Sequence, residues 1–409
     1  MYTFFSIKAV DSVSNLIKYK LDYNLQILLY FILMLPYLEP QIFKILGYET
    51  IDKLYALTKF LSAIIIILIY FFTRKCRISL FVTIQILLQV WILLSTVINA
   101  GSLTRFAGPA ITSVVIVMLG ELVSKKNWIN FMIILRDFLF SLLIMNFALQ
   151  LYNLIILNEY DLTTFLGINN RWFYFYLPIV FISMMVSQVK YNKIDIISKI
   201  IFAITFLSLL LAQSVGAVLA MLAFIVVFMF FKYSLFNFVN QYIAFCIINF
   251  FLVKGYILDF FTFIISDYLY KDITLSGRTY LWDTVMQILE ESPFLGMGVQ
   301  SIDFDCEYFF AQSGYVIGCF VNHPHNHFLN IGYHGGIVAM FLLFLSYFLV
   351  MKYADGIKDL KIKQIAISSF AAFFVAGLVD TLDFSLFYLF IPIITHMLNN
   401  DSYNNFRSV

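Results

Sequence analysis

Apolar runs long enough to cross the ~30 Å hydrocarbon core of a bilayer recur along this chain. They fall at 24–46, 55–73, 78–98, 107–123, 128–157, 172–189, 196–213, 215–231, 237–253, 326–350, 364–380 and 384–398. Backbone groups inside hydrocarbon have no water to bond to, so each run must satisfy its own N–H and C=O groups, and a run of this length does so as a helix. The sequence therefore predicts an all-α polytopic membrane protein with about twelve transmembrane helices. A soluble globule is excluded, because 62% hydrophobic residues with only 12% charged ones leave too little charge to cover a water-facing surface. Pro36, Glu39 and Pro40 interrupt the first run and predict a kink or an early exit there.

Orientation follows from charge. Arg74, Lys75 and Arg77, then Lys125 and Lys126, Lys190 and Lys193, Lys232, and finally Lys352, Lys358, Lys361 and Lys363 occupy alternate connections. That side carries about twice the Lys/Arg of the other, and the positive-inside rule puts it, with both termini, in the cytoplasm. Lys8, Lys18 and Lys20 punctuate Ile7, Val10, Val13 and Ile17 at helical spacing, which suits a helix lying on the membrane surface. No short apolar region followed by a small-residue cleavage site opens the chain, so no removable signal is read. A net charge of +2 without any basic run gives no reason to expect nucleic acid as a partner. The central connection, 190–195, is short and the halves show no repeat, unlike a six-plus-six transporter. Residues 1–409 read as a single membrane domain, with one large extracytoplasmic loop at 254–324 that carries short helices.

Within that loop, residues 276–298 read SGRTYLWDTVMQILEESPFLGMG, a helix with its punctuation. Ser276 or Gly277 can cap it, Pro293 ends it, and Gly296 and Gly298 mark a turn. Arg278, Trp282, Val285 and Leu289 share one face. Arg278 sits in the first turn, where the helix field favours an anion and a cation needs compensation. A bound phosphate would supply it, as would an ordinary partner such as Asp272.

Four of the five histidines fall in NHPHNHFLNIGYHGG, residues 322–336. Pro324 suits the first position of a helix running to about Val350, which places His325 in the first turn, where the helix field keeps imidazole neutral and able to accept a proton. His325, Leu329, Gly332 and Gly336 then share a face that admits a close neighbouring helix, and His323, His327, Asn330 and His334 form a second, polar face with water on one side. A metal is the competing reading, since His323 and His327 have i, i+4 spacing. Asp303 and Asp305, with Glu307 behind, could also hold a divalent ion, although solvated carboxylates explain them equally. Cys76 and Cys246 lie at cytoplasmic or membrane positions, whereas Cys306 and Cys319 share the outer loop, where a bridge between them is open.

Together the two stretches resemble the bacterial O-antigen ligase and polysaccharide (O-antigen, capsule) polymerase superfamily. The elements are Arg278, Trp282, Pro293, Gly296 and Gly298, followed by His325, Asn326, Leu329 and Gly336. The motif likeness covers about 276–340. A further feature of the family, Ser-Arg-Gly-Ala at the outer start of a central span, is Ser-Val-Gly-Ala here (214–217), so Val215 stands where the family often has a phosphate-binding arginine. If two arginines hold the donor, Arg171 or Arg105 would have to serve, and either could equally be a boundary anchor.

The resemblance implies a glycosyltransferase of the bacterial cytoplasmic (inner) membrane that works on its outer face. It would polymerise polyprenyl-diphosphate-linked oligosaccharide repeat units into O-antigen, capsular or exopolysaccharide. His325 would be the general base on the acceptor hydroxyl of the growing glycan, and Arg278, with Arg171 or Arg105, would hold the departing diphosphate. Asn326, Trp282, His323 and His327 would bind saccharide or support the site. The scheme needs no metal and no cofactor. Besides lipid-linked donor, glycan acceptor and bilayer, other polysaccharide-assembly membrane proteins are partners it would accommodate. Two alternatives stay open: an O-antigen ligase passing the glycan to lipid A core, and a lipid-linked oligosaccharide flippase, for which charges within the spans would be expected.

Overall fold

The computed structural model describes residues 23–124, 128–157, 163–168, 171–231, 238–255, 278–303, 320–321, 323–382, 386–389 and 393. Helices α1 (Tyr23–Met34) and α2 (Ile42–Ile45) flank a 3-10 turn, Leu35–Leu38. They are followed by α3 (Glu49–Arg74), α4 (Leu80–Ile98), α5 (Leu103–Ser124), α6 (Trp128–Tyr152), α7 (Phe173–Tyr191), α8 (Ile196–Leu211), α9 (Val215–Phe230) and α10 (Phe238–Val253). The last elements are α11 (Arg278–Glu291), the two-residue antiparallel strands β1 (Ile302–Asp303) and β2 (Phe320–Val321), α12 (His327–Asp355) and α13 (Leu360–Val379). The protein is thus nearly all helical, and eight of its segments are long and apolar enough to cross a membrane.

Three further apolar helices, α8, α9 and α10, have 16 residues each. They span about 24 Å at 1.5 Å per residue and lie where spans were expected. The expected twelfth span, 384–398, falls mostly outside the described residues, as do the N-terminal surface helix, the candidate caps Ser276 and Gly277, Asp272, Asp305, Glu307 and the pair Cys306 and Cys319. The prolines of the first span break it as expected. Tyr37, in the 3-10 turn, donates to the Lys59 carbonyl at 3.0 Å, and Glu39 pairs with the Lys59 ammonium, which explains how a carboxylate is tolerated there.

Helices α7 and α13 are the most enclosed, whereas α3 turns Leu57, Phe60, Leu61 and Leu68 outward, as a lipid-facing helix does. Small residues set the tightest contact. Gly216 and Ala220 of α9 let that helix lie directly on α13, where a Cβ on Gly216 would fall 2.5 Å from Val379. One end of the bundle gathers the last turns of α4, α7's first turn, the start of α9, the end of α10, α11 and the loop after α13. The opposite end carries the basic connections: Arg74 pairs with Glu121, Lys363 with Asp355, and Lys361 reaches the Asn192 carbonyl.

A single helix from Pro324 to Val350 is the expectation the structure changes most. Asn326 is the N-cap of α12 and the helix begins at His327; Gly335 and Gly336 then leave helical geometry and split the helix in two. Their freed backbone groups are taken up by the Pro-x-x-Gly-x-Gly segment. Met297 N–H donates to the Tyr333 carbonyl at 2.7 Å, Gly298 N–H to His334 at 3.1 Å, and Ile337 N–H to the Pro293 carbonyl at 2.7 Å. Trp91 Nε1–H closes the Gly335 carbonyl at 2.9 Å. Gly332 and Gly336 therefore do not open a helix–helix contact of the expected kind. Gly336, at φ +62°, lies so close to the Phe294 backbone that a Cβ would stand 2.4 Å from it. The segment itself is anchored on α4: Ser95 Oγ–H donates to the Leu295 carbonyl at 2.5 Å and Asn99 Nδ2 to the Gly296 carbonyl at 3.1 Å.

Gly336→Ala is expected to cost about 3 kcal/mol, since it combines a left-handed backbone with a backbone clash. Gly108→Ala, within α5 and with nothing inside 4 Å of the added Cβ, should be neutral or stabilising by about 0.5–1 kcal/mol. Unfolding of the two variants in detergent checks this, and equal midpoints would refute the assignment of the break.

Candidate functional site

Asn326 fixes the approach to α12. Its Oδ1 accepts from Phe328 N–H at 3.0 Å and Leu329 N–H at 3.1 Å, the N-cap geometry. Its Nδ2 donates to Asn249 Oδ1 at 3.0 Å and to the Leu378 carbonyl at 3.3 Å, so one buried amide joins α12 to α10 and α13. Trp282, fully buried on α11, donates Nε1–H to the Pro324 carbonyl at 2.8 Å. With both flanking residues held, His325 stands before the helix, not in its first turn, with φ +50°. The cap residue is Asn326 because its short amide can reach back over the helix start, which the proline at 324 cannot do. The helix field acts on His325 from outside, and the residue belongs to neither helical face.

His325 points at the end of α13. Its Nδ1 lies 3.4 Å from Asp380 Oδ1, at ion-pair distance but out of hydrogen-bond alignment, and its side chain keeps 36% of its surface exposed. The His323 ring sits 4.3 Å from that of His325, edge to face. Arg278 arrives from α11 and donates from its guanidinium to the Val379 carbonyl at 2.6 Å, one residue from Asp380. The compensation that a cation in a first helical turn requires thus comes from an exposed α13 carbonyl and the neighbouring carboxylate.

The charges respond to one another. Burial lowers the Arg278 guanidinium from its ordinary value while the field of Asp380 opposes that. For Asp380, burial raises the carboxyl, but the His325 imidazole and the Thr381 N–H at 2.8 Å outweigh it and leave the group below the usual carboxylate range. Burial, then His325, push the His323 imidazole down to about 4, with Arg171 and Arg278 acting the same way and Asp380 opposing. At neutral pH the cluster therefore holds an ionised carboxylate, a guanidinium and a neutral His323.

Arg171 precedes Trp172 at the start of α7 and bears electrostatically on His323, which puts it on the rim of this cluster. Tyr174 ties that rim to the residues after α13 by donating to the Thr381 carbonyl at 2.7 Å, and Trp172 Nε1–H holds the preceding loop at the Gly167 carbonyl, 2.9 Å away. Arg105 is placed differently, at the start of α5, donating to Ser301 Oγ at 2.7 Å beside β1. Val215 opens α9 next to Gly216, which packs against the Val379 side chain at the end of α13, the residue whose carbonyl Arg278 holds.

The expected wet histidine stripe is broken at its middle by the burial of His327 and Asn330, while His323 and His334 stay partly exposed. His327 is 1% exposed; its Nδ1 accepts from the Leu382 N–H at 3.2 Å, so Nε2 carries the proton and donates to Tyr347 Oη at 3.1 Å. Both nitrogens are used, which removes His327 from a metal pair with His323. Asn330 is buried as well. The helix starts too late for His323 to share its face, and the close packing of α12 on α13 dries what the spacing left open to water.

Sequence reasoning missed Asp380. It occurs in Leu-Val-Asp-Thr-Leu, at the end of an apolar span, where a carboxylate can be a mere boundary residue. The available signal was electrostatic: a buried-face arginine and a histidine expected at the same end of the bundle call for an anion, and Asp380 is the acidic residue that closes the 364–380 run.

Residues 200–344 match the family described as O-Antigen ligase, a stretch of about a third of the chain that runs from α8 through the first half of α12. It includes Val215, Arg278, Trp282, the Pro293–Gly298 segment, His325 and Asn326, and stops short of Asp380. No curated protein matches the chain. The match supports an O-antigen ligase or polymerase type of function and, broadly, a glycosyltransferase-like enzyme. With the apolar helices, it also suggests a bacterial inner-membrane protein that meets lipid-linked glycans. The motif residues and the match over 200–344 together support placing this chain in the O-antigen ligase and polysaccharide polymerase superfamily.

Proposed function

We propose that this protein, working as one membrane domain, polymerises oligosaccharide repeat units carried on polyprenyl diphosphate, with its histidine end on the outer face of the membrane. The supporting observation is the meeting of His325 and Arg278 on consecutive residues at the end of α13, Asp380 and Val379. With Nδ1 facing the Asp380 carboxylate at ion-pair distance, His325 keeps Nε2 to take the proton from the acceptor hydroxyl as it attacks the anomeric carbon. The bond from that carbon to the diphosphate oxygen breaks, its electron pair leaving with the diphosphate, and the hydroxyl proton ends on Nε2 to give an imidazolium that Asp380 stabilises. Arg278, held by one donor on Val379, meets with its guanidinium the charge that develops on the leaving diphosphate. Arg171 adds positive potential from the α7 rim, in the role left vacant by Val215; Arg105 would act further out along the donor. Proton transfer by imidazole and charge stabilisation by guanidinium make the reaction independent of a metal ion. Asn326 and Trp282 serve as supports, since their polar atoms are already engaged within the protein.

The outer-face assignment follows the basic connections at the opposite end, which the positive-inside rule places in the cytoplasm. No nucleotide sugar is available outside, so the activated bond has to arrive on a lipid. A labelling experiment that found residues at the His325 end accessible only from the cytoplasm would end this reading.

Purified protein supplied with lipid-linked repeat unit, alone or with lipid A core, should lengthen the glycan in the absence of core; a product formed only on core would make it a ligase. His325→Ala is expected to abolish elongation while protein level and transport of the lipid-linked substrate stay intact. Full-length polymer from that variant would remove the base assignment, and loss of transport instead would favour a flippase.

Asp380→Asn keeps the shape but loses the charge, and turnover should fall by up to about 10⁴-fold, by analogy with carboxylates that orient a catalytic histidine. The double variant with His325→Ala should be no slower than His325→Ala alone, because residues acting as a unit are not additive. Arg278→Lys, which keeps charge and loses the fork, should lower turnover about 10²–10³-fold. Rates measured at saturating donor test both.

A further inference from the structure

His323, His325 and Asp380 present one ligand-capable atom each, all within 4.8 Å of one another. The Nδ1 atoms of both imidazoles are buried and have no hydrogen-bond partner. Buried polar atoms in folded proteins are nearly always paired, and two unpaired ring nitrogens on adjacent histidines, beside a carboxylate, ask for something that accepts lone pairs. Their spacing suits such a ligand. Bonds of about 2.0–2.1 Å to a tetrahedral zinc-type ion place neighbouring donor atoms about 3.3–3.4 Å apart, and His325 Nδ1 and Asp380 Oδ1 stand 3.4 Å apart. Two imidazoles and one carboxylate form a ligand set that leaves the fourth position of a tetrahedron open.

We propose that His323, His325 and Asp380 bind a divalent transition-metal ion of the zinc type, and that its binding inhibits glycan joining. Arg278 and Arg171 act on the same cluster and oppose any cation held by charge alone. Magnesium and calcium, which rely on oxygen donors, are thereby disfavoured, whereas an ion that bonds strongly to imidazole nitrogen is accepted. Inhibition rests on the base reading above. When Nδ1 of His325 coordinates a metal, the ring proton must sit on Nε2, and neither nitrogen can take one from the acceptor hydroxyl. The metal-bound and proton-accepting states of His325 therefore exclude each other.

The test uses the full-length chain in detergent. Cobalt(II) should produce the visible absorption of a tetrahedral site at one ion per chain, zinc should displace it, and magnesium should leave it unchanged. His323→Ala and Asp380→Ala should each weaken cobalt binding more than about tenfold, while His334→Ala, outside the three-residue group, should keep it. His323→Gln replaces the alanine form if that variant fails to fold. No cobalt absorption in the unaltered protein, or equal binding in the ligand variants, overturns the site. Zinc should also stop elongation reversibly, with activity restored by a chelator. Binding without inhibition would leave the ion site standing and overturn the proposed link to the base; inhibition that persists in His323→Gln would show that zinc acts elsewhere and overturn the inhibitory role of this cluster.

Discussion

A helix broken inside an apolar bundle must find partners for every backbone group it releases, because no water is at hand to take them. The break at Gly335–Gly336 of α12 meets that demand through one short segment, Pro293 to Gly298, which forms a strap across it, and through the indole of Trp91 on α4. Much else follows from this strap. It holds the end of α11 against the middle of α12, and the rest of α11 runs so that Trp282 meets Pro324 and Arg278 meets Val379. It also explains why glycine stands at three points of the motif: a Cβ at 296 would lie 2.5 Å from the Tyr333 carbonyl, one at 298 would lie 2.5 Å from Thr96, and one at 336 would strike Phe294.

With the strap in place, the polar groups at the histidine end are ordered by capping and charge. Asn326 uses its whole amide to start α12 and hold α10 and α13 beside it, so Val379 and Asp380 end up facing the loop. A guanidinium and a carboxylate in a low-dielectric setting attract strongly but are costly to bury unless they are also hydrogen bonded. Arg278 meets that condition through Val379, and Asp380 through Thr381. His325 completes the group while remaining partly open. The left-handed backbone at His325 is unusual for a residue with a Cβ and is held by the flanking contacts of Pro324 and Asn326.

Several elements were legible because local rules decide them. Apolar run length gave the helices, Pro293 the end of α11, and the Arg278, Trp282, Val285, Leu289 spacing a face that is fully buried at Trp282 and Val285 and partly buried at Leu289. The histidine segment was legible as a polar entry to a helix but not in its details. Proline at a first helical position and asparagine at a cap are both good local choices, and the competition between them was settled by Asn249 and Leu378, which are remote in sequence. For the same reason His327 read as a wet interfacial residue and proved to be a fully bonded one, with Tyr347 and Leu382 as partners.

What the sequence determined by itself is whatever depends on a window of adjacent residues: that the chain is a helical membrane protein, where its basic connections fall, and that Arg278 and His325 belong to a recognisable motif. What only the tertiary structure decided is which groups share a space. Asp380, roughly fifty residues beyond His325 along the chain and outside the motif, is joined to it because α13 ends beside α12. No periodicity within either segment encodes that contact, since it arises from the packing of small residues between α9 and α13 and from the backbone bonds that fix the break in α12.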